Sequence, residues 1–242
     1  MAAGYLERIL TEMLEKLKED VFRANLELVS RGLVIMTFGN VSAVDRASGL
    51  MVIKPSGVSY DLMTPADMVV SDLDGNVVEG TLKPSTDAPT HAALYKVFPG
   101  IGGVVHTHST YATAWAQAGK SIPCLGTTHA DSFYGPVPVT RKLTDKEIRD
   151  NYEYNTGLVI AEALEGVDPL FMPAVVVHSH GPFTWGETAA KAVYNAFILE
   201  EVARIAAITV SISPTGNIDQ ALLDKHFLRK HGSKAYYGQK NH

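Results

Sequence analysis

The chain has 242 residues and a formal net charge of −5, with 46% hydrophobic and 19% charged residues. This balance is typical of a globular protein and gives no basic field for nucleic acid or an anionic membrane surface. The single cysteine, Cys124, excludes a disulfide framework and a cysteine-rich zinc site, so a metal would need histidine and carboxylate ligands. No apolar run approaches the roughly 20 residues of a membrane span, and the N-terminal segment lacks a signal-peptide core. We therefore expect one cytoplasmic domain, residues 1–242, with no nucleic-acid or membrane partner.

The first half of the chain is predicted to form two helices and several short strands. Apolar residues at helical spacing predict an amphipathic helix over residues 5–29. A second helix is expected from Thr86 or Asp87 to about residue 98, with Pro89 in its first turn. The pair Asp74-Gly75 predicts a hairpin between the last two strands of this half. The β-rich runs that predict strands are residues 33–37, 51–54, 68–71 and 76–79.

The second half mixes strand and helix patterns in the same way. A capping box over residues 144–147 starts one helix, and Ser109 opens another. The further helices are expected over residues 187–207 and 218–230, and the strand-like runs are residues 102–108, 125–129, 137–140 and 175–181. Because hairpins join several strands, we predict a mixed α/β fold with a largely antiparallel sheet. No glycine pattern matches a dinucleotide fingerprint or a P-loop.

Two of the predicted strands end in His-x-His, which is hard to explain by core packing. His106 and His108 close the first strand, and His178 and His180 close the second. Side chains two residues apart in a strand project from the same face, so paired imidazoles converge on one point. A catalytic zinc takes about three protein ligands and keeps one position open. The first pair and one histidine of the second pair would supply three ligands, and spacing alone does not choose within the second pair.

Three short segments have the composition of an anion-binding site. They are residues 38–40, 54–57 and 83–87, which combine glycine or hydroxyl residues with peptide N–H groups. The last segment lies at a predicted helix start, where free N–H groups and the helix dipole favour a phosphate. Lys54 adds a point charge to the second segment. Beside a metal site, these segments indicate a phosphorylated substrate.

A series of short motifs occurs in a recognisable order. They are TFGNVS at 37–42, IKPSG at 53–57, KPSTD at 83–87, HTH at 106–108, GTTHAD at 126–131, HSHGPF at 178–183, LDKH at 223–226 and KAYYGQ at 234–239. With them the chain resembles the class II aldolase and epimerase family, and within it the L-ribulose-5-phosphate 4-epimerases. The resemblance implies a single domain with helices on both faces of its central sheet. Residues 1–12 and 240–242 are then terminal extensions.

The resemblance also implies a zinc ion and a phosphate site. It assigns one zinc per subunit to His106, His108, His180 and Asp87, which favours His180 over His178. The residues that it assigns to the substrate phosphate are Gly39, Asn40, Ser56, Gly57, Ser85 and Thr86, with Lys54 beside them.

The same resemblance assigns acid/base chemistry to two residues outside these segments. They are Asp131 and Tyr237, and Tyr237 would come from a neighbouring subunit of a homotetramer with active sites at the subunit interfaces. Supporting roles fall to Thr127, Glu153, His226 and Arg229.

The activity that the resemblance implies is the interconversion of L-ribulose 5-phosphate and D-xylulose 5-phosphate. The hydrogen on C4 is β to the ketone, so simple enolisation does not make it acidic. Retro-aldol cleavage of the C3–C4 bond and re-addition solve this problem with a zinc Lewis acid and an acid/base group on each face of the aldehyde.

Two alternatives stay open. One is a class II sugar-phosphate aldolase of the same family, although those enzymes generally have a glutamate where this chain has Asp87. The other is a non-catalytic, adducin-like interaction domain.

Overall fold

The computed structural model describes residues 2–238, and the strands within this range form one sheet. The strands are β1 Asn40–Asp45, β2 Leu50–Ile53, β3 Val69–Asp72, β4 Val77–Glu79, β5 Gly103–His106, β6 Ala174–Val176 and β7 Pro182–Gly186. Their order is β4-β3-β2-β1-β5-β7-β6, and each neighbouring pair is antiparallel. The predicted antiparallel character of the sheet is therefore confirmed, as is the hairpin between β3 and β4.

Helices of very different length connect the strands. They are α1 Ala2–Ser30, α2 Ala88–Val97, α3 Thr110–Ala118, α4 Thr127–Ala130, α5 Asp145–Arg149, α6 Tyr152–Ala163, α7 Ala189–Ile212 and α8 Gln220–His231. Thr144 caps α5 through the predicted capping box with Glu147. None of these described helices combines the length and apolarity needed to cross a bilayer. Residues 2–12, which the resemblance assigns to an N-terminal extension, form the first part of α1. Residues 240–242, assigned to a C-terminal extension, lie outside the described range.

Helices cover both faces of the sheet, as the resemblance implies. Successive residues of β5 show this, because side chains alternate between the two faces of a strand. Val104 packs in a core with α2, α3, α6 and the second half of α7. Val105 packs in a second core with α1 and the first half of α7. Both valines are almost fully buried, so the sheet lies between two helical layers.

Three predicted strands are absent from the sheet. Residues 33–37 form turns instead, where Met36 has a φ of 54°, and β1 begins only at Asn40. The run at 125–129 was predicted as a strand but contains the short helix α4. The run at 137–140 makes only isolated bridges, one of them between Val139 and Val176.

The second His-x-His segment is also shaped differently from the prediction. Strand β6 ends at Val176, and the chain then reverses through a turn in which Ser179 has a φ of 63°. The next strand, β7, begins at Pro182 and was not predicted as a separate element. His178 and His180 therefore lie on a turn between two strands, so the same-face argument does not apply to them.

Candidate active site

Three histidine side chains, one from the end of β5 and two from the connections after β5 and β6, meet at one end of the strands. The ligand nitrogens of His106, His108 and His180 all lie within 4.8 Å of one another. Nε2 of His106 is 3.1 Å from Nε2 of His108. The structure thus brings together the three histidines that the sequence predicts as metal ligands.

The sheet register positions His106 at the centre of this cluster. It is the last residue of β5 and pairs with Asn40 on one side and Phe183 on the other. Its ring stacks on Phe183 with a centroid distance of 4.2 Å, and Nδ1 donates to the Pro182 carbonyl at 3.0 Å. A donating Nδ1 leaves the lone pair on Nε2, the atom that faces His108. The neighbouring strands therefore fix both the ring and its tautomer.

The turn after β6 places its two histidines on opposite sides. His180 enters the cluster, and its Nδ1 lies 3.2 Å from the Tyr152 hydroxyl at the start of α6. His178 instead bonds Ser179 at 2.8 Å and packs against Gly119 at the end of α3. The choice of His180 over His178 agrees with this geometry. The sequence does not indicate this role of Tyr152, because Tyr152 and His180 are 28 residues apart and meet only in the folded chain.

Asp87 lines the same cavity as the histidines, but its carboxylate is not among the ligand atoms that lie within 4.8 Å of one another. It is the N-cap residue of α2, and its Oδ2 accepts from Asn40 Nδ2 at 2.7 Å. Burial alone would raise the pKa of Asp87, but attraction to His106 and His91 and the bond from Asn40 lower it. An ionised carboxylate therefore faces the histidines.

The donor set suits a divalent metal ion. Tetrahedral zinc with bonds of roughly 2.0–2.1 Å to nitrogen would place neighbouring nitrogens about 3.3 Å apart, close to the distance between His106 and His108. Burial lowers the pKa of all three imidazoles, that of His106 to about 3. Only a neutral imidazole offers its lone pair to a metal. The three histidines could therefore hold a metal ion, with Asp87 adjacent.

The three predicted anion segments line the same cavity as the histidines, and it measures about 400 Å³. The second and third segments form a bridge in which Ser56 N donates to the Lys83 carbonyl and Ser85 N to the Lys54 carbonyl, both at 2.9 Å. Asn40 links the first segment to the third, because its Nδ2 also lies 3.0 Å from Ser85 Oγ. The fold therefore gathers the three segments around the histidine cluster, although the first and the third are more than 40 residues apart in the sequence.

One buried atom in this cavity has no partner among the described residues. It is Oδ1 of Asn40, an acceptor in a residue that is 2% exposed. A buried acceptor without a donor is costly unless a ligand or water supplies one. Asn40 therefore carries an unsatisfied polar atom in the wall of the cavity.

Lys54 is buried and donates hydrogen bonds to backbone carbonyls next to the first two anion segments. Its Nζ donates to the carbonyls of Val58 at 3.0 Å and Thr37 at 3.5 Å, and lies 4.8 Å from the Tyr60 ring centre. Burial lowers its pKa. The sequence predicts a point charge for the phosphate, whereas the structure shows an ammonium that also ties the first segment to the second.

Gly39 is required by the close approach of the first segment to His106. Its φ is 85°, and an added Cβ would lie 2.8 Å from Val34 Cγ1 and 3.1 Å from the His106 carbonyl oxygen. Both the left-handed backbone and the contact exclude larger residues. This glycine therefore sets the distance between the first anion segment and His106.

The two predicted acid/base residues lie together, away from the histidines. Asp131 ends α4, and Tyr237 lies beyond α8 with 62% of its surface exposed. Both line a separate cavity of about 370 Å³, and the described lining of that cavity shares no residue with the metal cavity. The structure of one chain therefore does not join them to the metal cluster.

Basic side chains of α8 hold the Asp131 carboxylate. Arg229 and His226, both predicted to have supporting roles, bond Oδ1 at 2.9 and 3.0 Å, and Lys230 Nζ lies 3.1 Å from Oδ2. Partial burial opposes ionisation, but bonds from Lys230, His226 and Arg229 outweigh it and lower the pKa of Asp131. Lys230 was missed by the sequence analysis, because only the packing of α8 on α4 reveals its contact.

The remaining predicted residues lie on different sides of the molecule. Glu153 lines the metal cavity next to Tyr152, and its backbone carbonyl accepts from Thr90. Thr127 begins α4, and its carbonyl accepts from Asp131 N at 2.9 Å. Glu153 therefore belongs with the histidines, and Thr127 with Asp131.

Comparison with known proteins agrees with this architecture. Residues 19–207 match the family of the class II aldolase and adducin N-terminal domain. An L-ribulose-5-phosphate 4-epimerase UlaF from Salmonella paratyphi B is 59% identical over 228 residues, which are 94% of this chain and 100% of the relative. A solved L-fuculose 1-phosphate aldolase superposes with a TM-score of 0.77 at 26% identity, covering 87% of this chain and 94% of that one. A second such aldolase, from Glaciozyma antarctica, shows the same fold at a TM-score of 0.74 and 22% identity, covering 91% and 84%. The chain therefore belongs to the class II aldolase and adducin N-terminal domain family.

Proposed function

We propose that this chain is an L-ribulose-5-phosphate 4-epimerase, which interconverts L-ribulose 5-phosphate and D-xylulose 5-phosphate. The observation that carries the proposal is the cluster of His106, His108 and His180 inside a cavity that the three anion segments also line. The relative with 59% identity over its whole length bears the same activity in its name. A charged sugar phosphate does not cross a bilayer unaided, so we place the reaction in the cytoplasm.

The proposed metal is one zinc ion per subunit, held by the three histidines with Asp87 beside it. When bound, the ion supplies a Lewis acid that polarises the ketone and stabilises negative charge as the C3–C4 bond breaks. His106 is locked by the Pro182 carbonyl, and His180 is oriented by Tyr152. These contacts keep the imidazoles aimed at one point before the ion arrives.

The phosphate is proposed to bind where the three segments meet. The peptide N–H groups of Ser56 and Ser85 are used in the bridge between segments, so the donors offered are the hydroxyls and the N–H groups of Gly57 and Thr86. The grip on the phosphate keeps one fragment in place while the other turns over.

Asp131 and Tyr237 are proposed to move the protons. As the C3–C4 bond breaks, one group takes the proton of the C4 hydroxyl and the aldehyde forms. After the aldehyde has turned, the other group returns a proton to its oxygen as the bond reforms on the opposite face. Two groups are needed because the hydroxyl points in opposite directions in the two epimers.

The separation of the two cavities supports a shared site in a homotetramer. In one chain, Asp131 and Tyr237 contact the same side chains, Arg229 and Lys230, but line a cavity without the histidines. If Tyr237 serves the metal of a neighbour, Asp131 of the same chain accompanies it. One subunit then supplies the metal and phosphate half, and its neighbour supplies the acid/base half.

Product analysis separates this proposal from its rivals. Pure enzyme is incubated with L-ribulose 5-phosphate, and the products are identified by NMR spectroscopy. Net D-xylulose 5-phosphate supports the epimerase. Stoichiometric release of two fragments would indicate the aldolase instead, and no turnover after reconstitution with zinc would indicate a non-catalytic domain.

A further inference from the structure

The last turn of α8 carries Lys230, a cation that is not among the predicted site residues. Lys230 Nζ lies 3.1 Å from Oδ2 of Asp131, whereas His226 and the shorter Arg229 contact are directed at Oδ1. Arg229 Nη2 also donates to Oδ2 at 3.1 Å, so Lys230 and Arg229 share that oxygen. The side chain of Asp131 is 19% exposed, so these partners largely decide its orientation.

Lys230 also contacts the second acid/base residue. Its Nζ lies 4.3 Å from the ring centre of Tyr237, closer than the 5.0 Å of the Arg229 guanidinium carbon. A cation over an aromatic face is attracted by the ring quadrupole. Lys230 lines the cavity of Asp131 and Tyr237, and Arg229 does not. One ammonium group thus faces the cavity between the two residues.

Within residues 2–238, few contacts other than these cations place the Tyr237 ring. The peptide N–H groups of Tyr236 and Tyr237 both donate to the Arg229 carbonyl, at 2.9 and 3.1 Å. These bonds fix the backbone but leave the side-chain torsions of an exposed tyrosine undefined. The cations above the ring are therefore what selects its position.

We infer that Lys230 is a positioning residue, which sets the Asp131 carboxylate and the Tyr237 ring at a fixed separation across their cavity. The inference rests on the proposed function of these two residues. Proton transfer to opposite faces of one aldehyde requires both groups at defined places, and a displacement of about 1 Å can cost up to 100-fold in rate. Without Lys230, Arg229 still contacts both residues, but the cation that lies closer to the Tyr237 ring and lines the cavity is lost.

The test compares Lys230→Met with Lys225→Met in the full-length, zinc-loaded enzyme. Lys225 is the matched control, because it lies on α8 with Nζ 5.3 Å from the ring of the adjacent Tyr236. We expect Lys230→Met to lower kcat about tenfold with KM within about twofold, since the metal and phosphate cavity is unchanged. Lys230→Arg should restore kcat to within about threefold of wild type by keeping the charge. Lys225→Met should be like wild type.

A spectroscopic measurement tests the same contact without relying on activity. The ring resonance of Tyr237 in protein with 13C-labelled tyrosine is identified by its loss in Tyr237→Phe. It should shift in Lys230→Met and stay in place in Lys225→Met. Lys230→Gln replaces Lys230→Met if thermal unfolding shows that the methionine variant is not folded. An unchanged ring resonance, or a wild-type kcat without the Lys230 charge, would overturn the inference. A wild-type enzyme without epimerase activity would refute the proposed function, while the resonance would still decide whether Lys230 positions Tyr237.

Discussion

Nε2 of His106 lies 3.1 Å from Nε2 of His108, although strand β5 has already ended at His106. The second imidazole is therefore directed toward the first by the chain that follows the strand. The turn before β7 brings His180 to the same point. The end of β5 and two connections thus form the cluster, and each of its members is expected to be needed for metal binding.

Replacing His106 by asparagine should remove the metal and reduce turnover to background. The change deletes a ligand and also the bond to the Pro182 carbonyl. His178→Asn is the matched control, because His178 lies on the same turn as His180 but contacts Ser179 and Gly119 instead. Metal analysis and turnover are measured on both proteins. Normal metal content in His106→Asn, or equal losses in both variants, would contradict the assignment of the cluster.

Replacing Tyr237 by phenylalanine should lower epimerisation on the order of 100-fold while leaving the metal bound, because only a proton carrier is lost. The control is Tyr236→Phe, which changes an adjacent tyrosine of nearly equal exposure, 61% against 62%. Steady-state kinetics and metal content distinguish the two. Comparable rates for both variants would remove Tyr237 from the mechanism.

If the chain forms the proposed homotetramer, assemblies that mix two variants test whether one subunit supplies both acid/base residues. A mixture of His106→Asn and Asp131→Asn chains, each inactive alone, should recover about a quarter of the wild-type activity when assembled randomly. One interface in four then joins an intact metal half to an intact acid/base half. A mixture of Asp131→Asn and Tyr237→Phe should recover nothing, since each acid/base half carries one defect. Recovery in the second mixture alone would show that the two residues serve different sites.

Burial of His129 predicts a loss of stability in acid. This histidine is 4% exposed, and burial lowers its pKa to about 4, although Nε2 donates to the Gly135 carbonyl at 2.9 Å. An unfolded histidine has a pKa of about 6.5, so between these values the unfolded chain binds a proton that the folded chain does not. The free energy of unfolding therefore falls as the pH drops from about 6.5 toward 4, and His129 contributes about 2 kcal/mol of that loss by pH 5.

Urea unfolding at pH 7 and pH 5 measures this contribution. The comparison protein is His129→Gln, which keeps a donor for the Gly135 carbonyl but does not titrate. The variant should lose about 2 kcal/mol less than wild type on acidification. The other histidines are common to both proteins, so equal losses would show that His129 is not buried in its neutral form.

The sequence predicts which histidines come together better than the local structure that carries them. The spacing of His106 and His108 is a property of neighbouring residues, so it is visible in the chain. His180 reaches the same point through a tight turn at Ser179, with a φ of 63°. The apolar run before that turn fits one long strand equally well, because a strand pattern does not show where the chain reverses.

Contacts between distant elements could not be predicted. Tyr152 meets His180 across 28 residues, and Lys230 meets Asp131 only because α8 packs on α4. Helix α4 itself was predicted as a strand, since four residues are too few to show a helical period. The motifs of the family assign acid/base chemistry to Asp131 and Tyr237, whereas only the folded chain shows that the two lie apart from the histidines.

The most direct test of the central claim measures metal content and epimerase turnover on one preparation before chelation, after chelation and after return of zinc. We predict about one divalent ion per chain in the active protein, loss of D-xylulose 5-phosphate formation in parallel with loss of the ion, and recovery of both together. Full turnover of L-ribulose 5-phosphate by protein stripped of metal would contradict the account.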